Sequence, residues 1–318
     1  MSLSLALGLA WGLARRLQAV ICLIVLLSPG AGRADQFKVL DAYTGFAGTP
    51  AVNSASDYIA WLRQQPAFRD GKLDHLPDHA VILHNTNVRG MLNGLGYGDA
   101  VIEEVPIGYT DPNVLFVVRP ARGQPFLVNR GLPGAGGIST QLAELAALGV
   151  KQAIHIGTAG LLGSRIPYSS LIIATGAYKD GAAFLLASTP AEAAEQIAFA
   201  DAGLTDRLDR DMTAAGIAHV RALGFTSPVY YFQKTGLLKT LLTFPFDAGQ
   251  APGFVEMEEA SFFASARLVD VKAASIVVGS DRAVPTGDTI RQEFFDGSLD
   301  PLLSQALRQA IVALSTRE

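Results

Sequence analysis

Between Phe126 and Ile156 the chain spells a strand, a glycine-rich turn, a helix and a second strand, and this order restricts the fold more than any other segment. Phe126-Leu127-Val128-Asn129 is a short apolar run of strand type. Gly131-Leu132-Pro133-Gly134-Ala135-Gly136-Gly137 follows as a turn. Ile138 to Leu148 has apolar residues at helical spacing, a Ser139/Thr140 start and a terminal Gly149. Lys151 to Ile156 is again strand-like and ends in Gly157-Thr158-Ala159-Gly160. A strand–helix–strand crossover predicts two parallel, neighbouring strands.

The same rhythm continues along the chain. Ala80–Leu83, Leu171–Thr175, Ala218–Leu223 and Ala274–Val278 read as buried strands. Ala55–Gln65, Thr205–Ala215, Ala260–Leu268 and residues 291–315 read as helices. Alternation of this kind predicts an α/β fold: a single three-layer domain with a central mixed, largely parallel sheet flanked by helices. With 318 residues, 49% of them hydrophobic, the chain is long enough for one sizeable core.

The N-terminus is of another type. Arg15-Arg16 precede an apolar run from Ala19 to Leu27, then Ser28-Pro29-Gly30, and Gly32-Arg33-Ala34 offers small residues before Asp35. This pattern predicts a signal peptide over residues 1–34 and export to the periplasm or medium; an uncleaved membrane anchor starting near Leu3 is the alternative. Residues 35–79 form an N-terminal extension, and the main domain spans residues 80–318. All 29 acids but only 22 of the 25 Lys and Arg lie after residue 34, so the mature chain carries a formal charge of −7. That balance argues against nucleic acid, or an anionic membrane, as a partner of the mature form. Cys22 is the only cysteine and falls inside the leader. The mature chain therefore has no thiolate metal site, and its five scattered histidines suggest no metal site either.

Four polar motifs sit where strands should end, which is where open α/β sheets hold ligands. The glycines around Gly136 open a helix and serve equally as a tight turn or an anion cradle. Asn85-Thr86-Asn87-Val88-Arg89 places a guanidinium after the 80–83 strand, either as a phosphate ligand or as a surface arginine. In the stretch after Lys151, His155 fits a satisfied core imidazole as well as a ligand, and Thr158 offers a hydroxyl. Asp281, in Gly279-Ser280-Asp281-Arg282, is a candidate general acid or an Asx-turn residue. Val255-Glu256-Met257-Glu258-Glu259-Ala260 lies where an extended segment becomes a helix. There the acids suit either a helix cap or a pair of sugar hydroxyls, with Met257 against an apolar ring face.

Taken in order, Pro133–Gly137, His155–Gly160, Leu171–Gly176, Val255–Ala260 and Gly279–Asp281 resemble the nucleoside phosphorylase/nucleosidase family, the purine nucleoside and uridine phosphorylase-like group. The resemblance spans about residues 80–310. It implies that Glu258 binds the ribose hydroxyls, that Met257 packs on the sugar and that Glu256 shapes the pocket. It implies a phosphate site of Arg89, Gly136, His155 and Thr158, and a base site of Thr226, Tyr231, Phe232 and Gln233, with Tyr230 as another stacking residue. It makes Asp281 the catalytic residue that meets N7 of a purine.

The implied reaction is cleavage of a nucleoside, purine favoured, by phosphate to free base and ribose 1-phosphate. Phosphate enters as co-substrate, and no metal or organic cofactor is required. The family also implies a homo-oligomer. Two departures leave other readings open. His155 stands where phosphorylases of the group usually carry Arg, and Asn85-Thr86-Asn87 replaces the Gly-Asp-Pro of the anion loop. A hydrolytic nucleosidase and an exported nucleoside-binding protein without catalysis are the alternatives. The Gly-Ala-Met-x-Glu-Glu segment with which nucleosidases activate water is not in the sequence.

Overall fold

Strands rich in Val, Ile, Leu and Ala run through the middle of the chain as near-continuous apolar stretches, and such strands must be covered on both faces. The computed structural model describes residues 47–49, 51–107, 114–231, 233–243 and 250–315. The predicted leader, with Cys22, lies outside the described residues.

The first helix, α1 (Ala55–Arg63), is capped by the Ser54 side chain on the Asp57 N–H. β1 (His79–Leu83) follows, then a hairpin of β2 (Val101–Pro106) and β3 (Val114–Arg119), and β4 (Phe126–Arg130). Next come α2 (Gly134–Ala147), β5 (Gln152–Leu162), β6 (Leu171–Tyr178) and β7 (Ile197–Phe199). α3 (Ala202–Ala214), β8 (His219–Thr226), α4 (Thr235–Thr243) and β9 (Phe254–Glu256) lead to α5 (Glu259–Leu268). β10 (Lys272–Thr286), β11 (Thr289–Phe294) and α6 (Asp300–Ser315) complete the order. Short helical turns fill several of the connections.

Among the described residues all eleven strands join one mixed sheet. Its centre, β4-β1-β5-β10, is parallel. Its flanks are antiparallel: β2–β3–β4 at one end, and β6 and β11 against β10 at the other. β10 pairs with both β5 and β6, and short β9 bridges β5 to β8, so this half of the sheet closes on itself. Two apolar layers sandwich the sheet. One holds Ile138, Leu142, Phe262 and Phe263 from α2 and α5. The other holds Leu204, Leu208, Leu307 and Ile311 from α3 and α6. Ile59, Leu62, Phe68 and Leu73 enter the first layer, so part of the N-terminal extension packs into the same core.

Three sequence expectations change. β4 and β5 are parallel but not adjacent, because β1 lies between them and pairs with both. A crossover sets direction and hand, whereas adjacency goes to whichever buried strand fills the gap. Helix α2 begins at Gly134 rather than Ile138: Pro133 is its N-cap residue and the 134–137 glycines form its first turn. The stretch from 291 does not open the last helix. Thr289–Phe294 folds back on β10, and the helix starts at Asp300.

Candidate active site

The parallel strands β1, β5 and β10 run toward one cavity of about 170 Å³. His84 after β1, Thr158 and Gly160 on β5, Met257 and Glu258 between β9 and α5, and Asp281 on β10 all line it. Residues separated by nearly two hundred positions therefore share one small volume.

The acidic stretch divides its labour. Glu256 is buried; its Oε2 accepts the N–H groups of Glu258 at 2.5 Å and Glu259 at 2.6 Å. Its Oε1 accepts the Thr226 hydroxyl at 2.5 Å. Glu256 thus caps α5 from the preceding strand, satisfying donors that a helix start leaves open. Burial pushes its carboxyl well above the ordinary range, and the adjacent Glu259 adds to the rise. Glu258 turns into the cavity and its Oε1 accepts the Gly134 N–H at 2.6 Å. Gly134 holds φ +79°, a backbone angle that suits glycine, so the first turn of α2 aims a donor at the carboxylate. Burial raises the Glu258 carboxyl, while His155 and the Gly134 N–H oppose the rise.

Asp281 is set by a bulge. Gly279 pairs with Ala159 and Asp281 with Gly160, leaving Ser280 as the extra residue in β10. A bulge re-aims the side chain that follows, and Asp281 enters the cavity. Ser280 donates to its Oδ1 at 2.8 Å and Gln292 of β11 donates to its Oδ2 at 2.6 Å. Gln292 also lies 3.1 Å from the Tyr230 hydroxyl. A Cβ on Gly160 would sit 2.9 Å from Asp281 Oδ2, so glycine is required there for the carboxylate to hold its position.

His155 lies beneath the cavity rather than in its wall, 2% exposed. Its Nδ1 is 3.1 Å from both Glu259 Oε1 and Ser275 Oγ, while Nε2 has no partner. Its ring meets that of His84 edge-on at 4.9 Å. Burial, with His155 nearby, lowers His84 to about 3, so the histidine that reaches the cavity is neutral at pH 7.

The structure thus brings together Thr158, Glu256, Met257, Glu258, Gln233 and Asp281 from the sequence-derived set. Tyr231 lies on an adjoining chamber, exposed at its rim. Four members are placed elsewhere. Arg89 is exposed and donates to Glu104 Oε1 at 2.7 and 2.9 Å, and that carboxylate, not the cavity, holds its guanidinium. Gly136 is exposed within the first turn of α2 and does not line the cavity. His155 supports the floor. Thr226 is buried behind Glu256, its O–H donating to that carboxylate and its oxygen accepting the Ala260 N–H, so its hydroxyl is engaged within the protein. Phe232 lies outside the described residues. His84 and Gln292 are additions that no motif marks, and only folding brings them to the site; the Gly134 N–H comes from the glycine turn, where it meets the Glu258 carboxylate.

Fold and cavity define an α/β protein with a polar-lined cavity at the carboxyl ends of its central strands. Comparison with known proteins narrows this class. The model of the phosphorylase superfamily matches residues 102–314. The chain belongs to that superfamily. Among solved structures it is similar to uridine phosphorylase from Vibrio fischeri ES114 complexed with 6-hydroxy-1-naphthoic acid. That likeness has 17% identity and a TM-score of 0.59, covering 81% of this chain and 98% of the other. It is also similar to purine nucleoside phosphorylase from Toxoplasma gondii in complex with immucillin-H, with 14% identity and a TM-score of 0.56, covering 76% and 90%.

Proposed function

We propose that this chain cleaves the N-glycosidic bond of a nucleoside, with a purine as the leaving base and phosphate as the acceptor. One observation carries the reading: Glu258 and Asp281, from separate segments, line one cavity together with Met257 and Thr158. A nucleoside has the matching order of groups, hydroxyls at one end and a base nitrogen at the other.

The C1′–N bond breaks while positive charge grows on the ribose. Glu258 accepts hydrogen bonds from the sugar hydroxyls and its charge stabilises that developing cation. Met257 covers the apolar sugar face. Asp281, held by Ser280 and Gln292, hydrogen-bonds or protonates the leaving base. A phosphate oxygen, met by the Thr158 hydroxyl, forms the new bond to C1′. Free base and ribose 1-phosphate result.

Hydrolysis is the second reading, and a specific observation favours it. Among the described residues the cavity lining holds three carboxylates, no lysine or arginine, and a neutral His84. Such a wall suits water better than a phosphate dianion. Inosine, adenosine and uridine turned over with and without phosphate separate the two. Phosphate-dependent formation of ribose 1-phosphate supports phosphorolysis; equal turnover to free ribose without phosphate replaces it with hydrolysis. Binding by calorimetry without any turnover would leave only the nucleoside-binding reading. The reading also includes export and assembly into a homo-oligomer, which cell fractionation and sedimentation test directly.

A further inference from the structure

The cavity does not stop at Asp281. A second chamber of about 240 Å³ adjoins it between α4 and the β10–β11 hairpin. The two share Gly160, Tyr230, Gln233, Val255 and Asp281. At the junction stand the groups able to read a base edge: the Asp281 carboxylate, the Gln233 and Gln292 amides and the Tyr230 hydroxyl. Beyond the junction the wall is hydrocarbon, with Leu162, Leu238, Ala283 and Ile290 lining it and Phe294 at its rim. Thr235, at the start of α4, and the rim residue Tyr231 are the other polar side chains there.

A bare purine has nitrogens or exocyclic groups on every edge. Pressed against Leu238 and Ile290, such an edge would lose water without gaining a partner, which is unfavourable. A hydrocarbon group meets that wall at no such cost and gains from leaving water. Asp281 adds a second constraint. While one Asp281 oxygen meets the ring nitrogen of the leaving base, the other, held by Ser280 or Gln292, remains an acceptor for an N–H on the base. A secondary amine attached to the base supplies one N–H to Asp281 and directs its carbon substituent onward. Gly160, without a side chain, borders both chambers and leaves the passage open.

We propose that the second chamber is a subsite for an apolar substituent on the base, and that the preferred substrate is a purine nucleoside whose exocyclic amino group bears a hydrocarbon chain or ring. The inference rests on the nucleoside-cleavage reading and names the substrate class for that site. It is tested by comparing adenosine with its 6-N-benzyl and 6-N-isopentenyl derivatives in the wild-type protein and in Leu238→Trp and Ile290→Trp, which fill the chamber. The derivatives are expected to have kcat/KM at least about tenfold above adenosine, chiefly through KM. The two variants should lose about tenfold on the derivatives while adenosine stays within about threefold. Equal or poorer use of the derivatives by a protein that cleaves adenosine overturns the subsite and leaves the cleavage reading intact. If no nucleoside is cleaved, the cleavage reading fails, and calorimetry decides the subsite separately. Affinity for 6-N-benzyladenosine about tenfold above adenosine, lost in Leu238→Trp, supports it; equal affinities overturn it.

Discussion

Glu258→Gln separates a sugar-binding carboxylate from a helix-cap acid. Both roles are chemically reasonable for an acid at the start of α5, but the cap is made by Glu256, which accepts the N–H groups of Glu258 and Glu259. Glutamine keeps a carbonyl oxygen for the Gly134 N–H at 2.6 Å, so the local structure should survive. What disappears is charge. A hydrogen bond to a charged acceptor contributes roughly 1 kcal/mol more than a neutral one, and the ribose offers two hydroxyls. Weaker stabilisation of the cationic transition state raises the loss to about 3–4 kcal/mol, or roughly 10²–10³-fold in kcat/KM. Steady-state kinetics with adenosine and with 2′-deoxyadenosine provide the assay, with circular dichroism confirming the fold. The penalty should shrink for the deoxynucleoside, which offers one hydroxyl fewer. Burial raises the Glu258 carboxyl, so the acid limb of the wild-type profile should lie above the usual glutamate range. Activity falls as pH drops through that limb, and the limb should vanish in the variant. A near-wild-type rate with an unchanged profile would refute the assignment of Glu258 to the sugar.

Gly160→Ala places a methyl group 2.9 Å from Asp281 Oδ2 and should cost on the order of 10²-fold in kcat with the fold retained; an unchanged kcat removes Asp281 from the chemistry. Glu144 on α2 is buried, and burial raises its carboxyl from 4.5 to about 7. Because the folded state holds this proton more tightly, the contribution of Glu144 to stability is greatest below about pH 4.5 and is lost as pH rises to about 7. Glu144→Gln should therefore match wild type at pH 4 and melt higher at pH 8; parallel Tm curves across that window count against the burial effect. Arg89→Ala should change the KM for phosphate by less than about threefold, since an exposed pair with Glu104 contributes little. A tenfold rise would return the guanidinium to the anion site.

Much of the site was legible because its acids stand in local patterns. Glu256, Met257 and Glu258 are consecutive, and Asp281 stands in Gly279-Ser280-Asp281 directly beyond the apolar Ala274–Val278 run. The phosphate half was less legible. His155 and Arg89 occupy plausible positions in the chain, yet one lies under the cavity against Glu259 and Ser275 and the other turns to Glu104. Which way a side chain leaves its strand or loop depends on partners far away in sequence. Thr226 shows the same limit: its chemistry suited a base, but its hydroxyl donates its hydrogen bond to Glu256.

The alternation of the main buried strands and helices, the α/β class and the acidic stretch Glu256–Glu258 are legible in the amino-acid sequence alone, since apolar period, glycine placement and adjacent acids are local properties. Insertion of β1 between β4 and β5, the Ser280 bulge that aims Asp281, and the Gln292 clamp from β11 belong to tertiary structure. Each depends on pairing between distant segments, where burial of shared surface, not local preference, selects the partner.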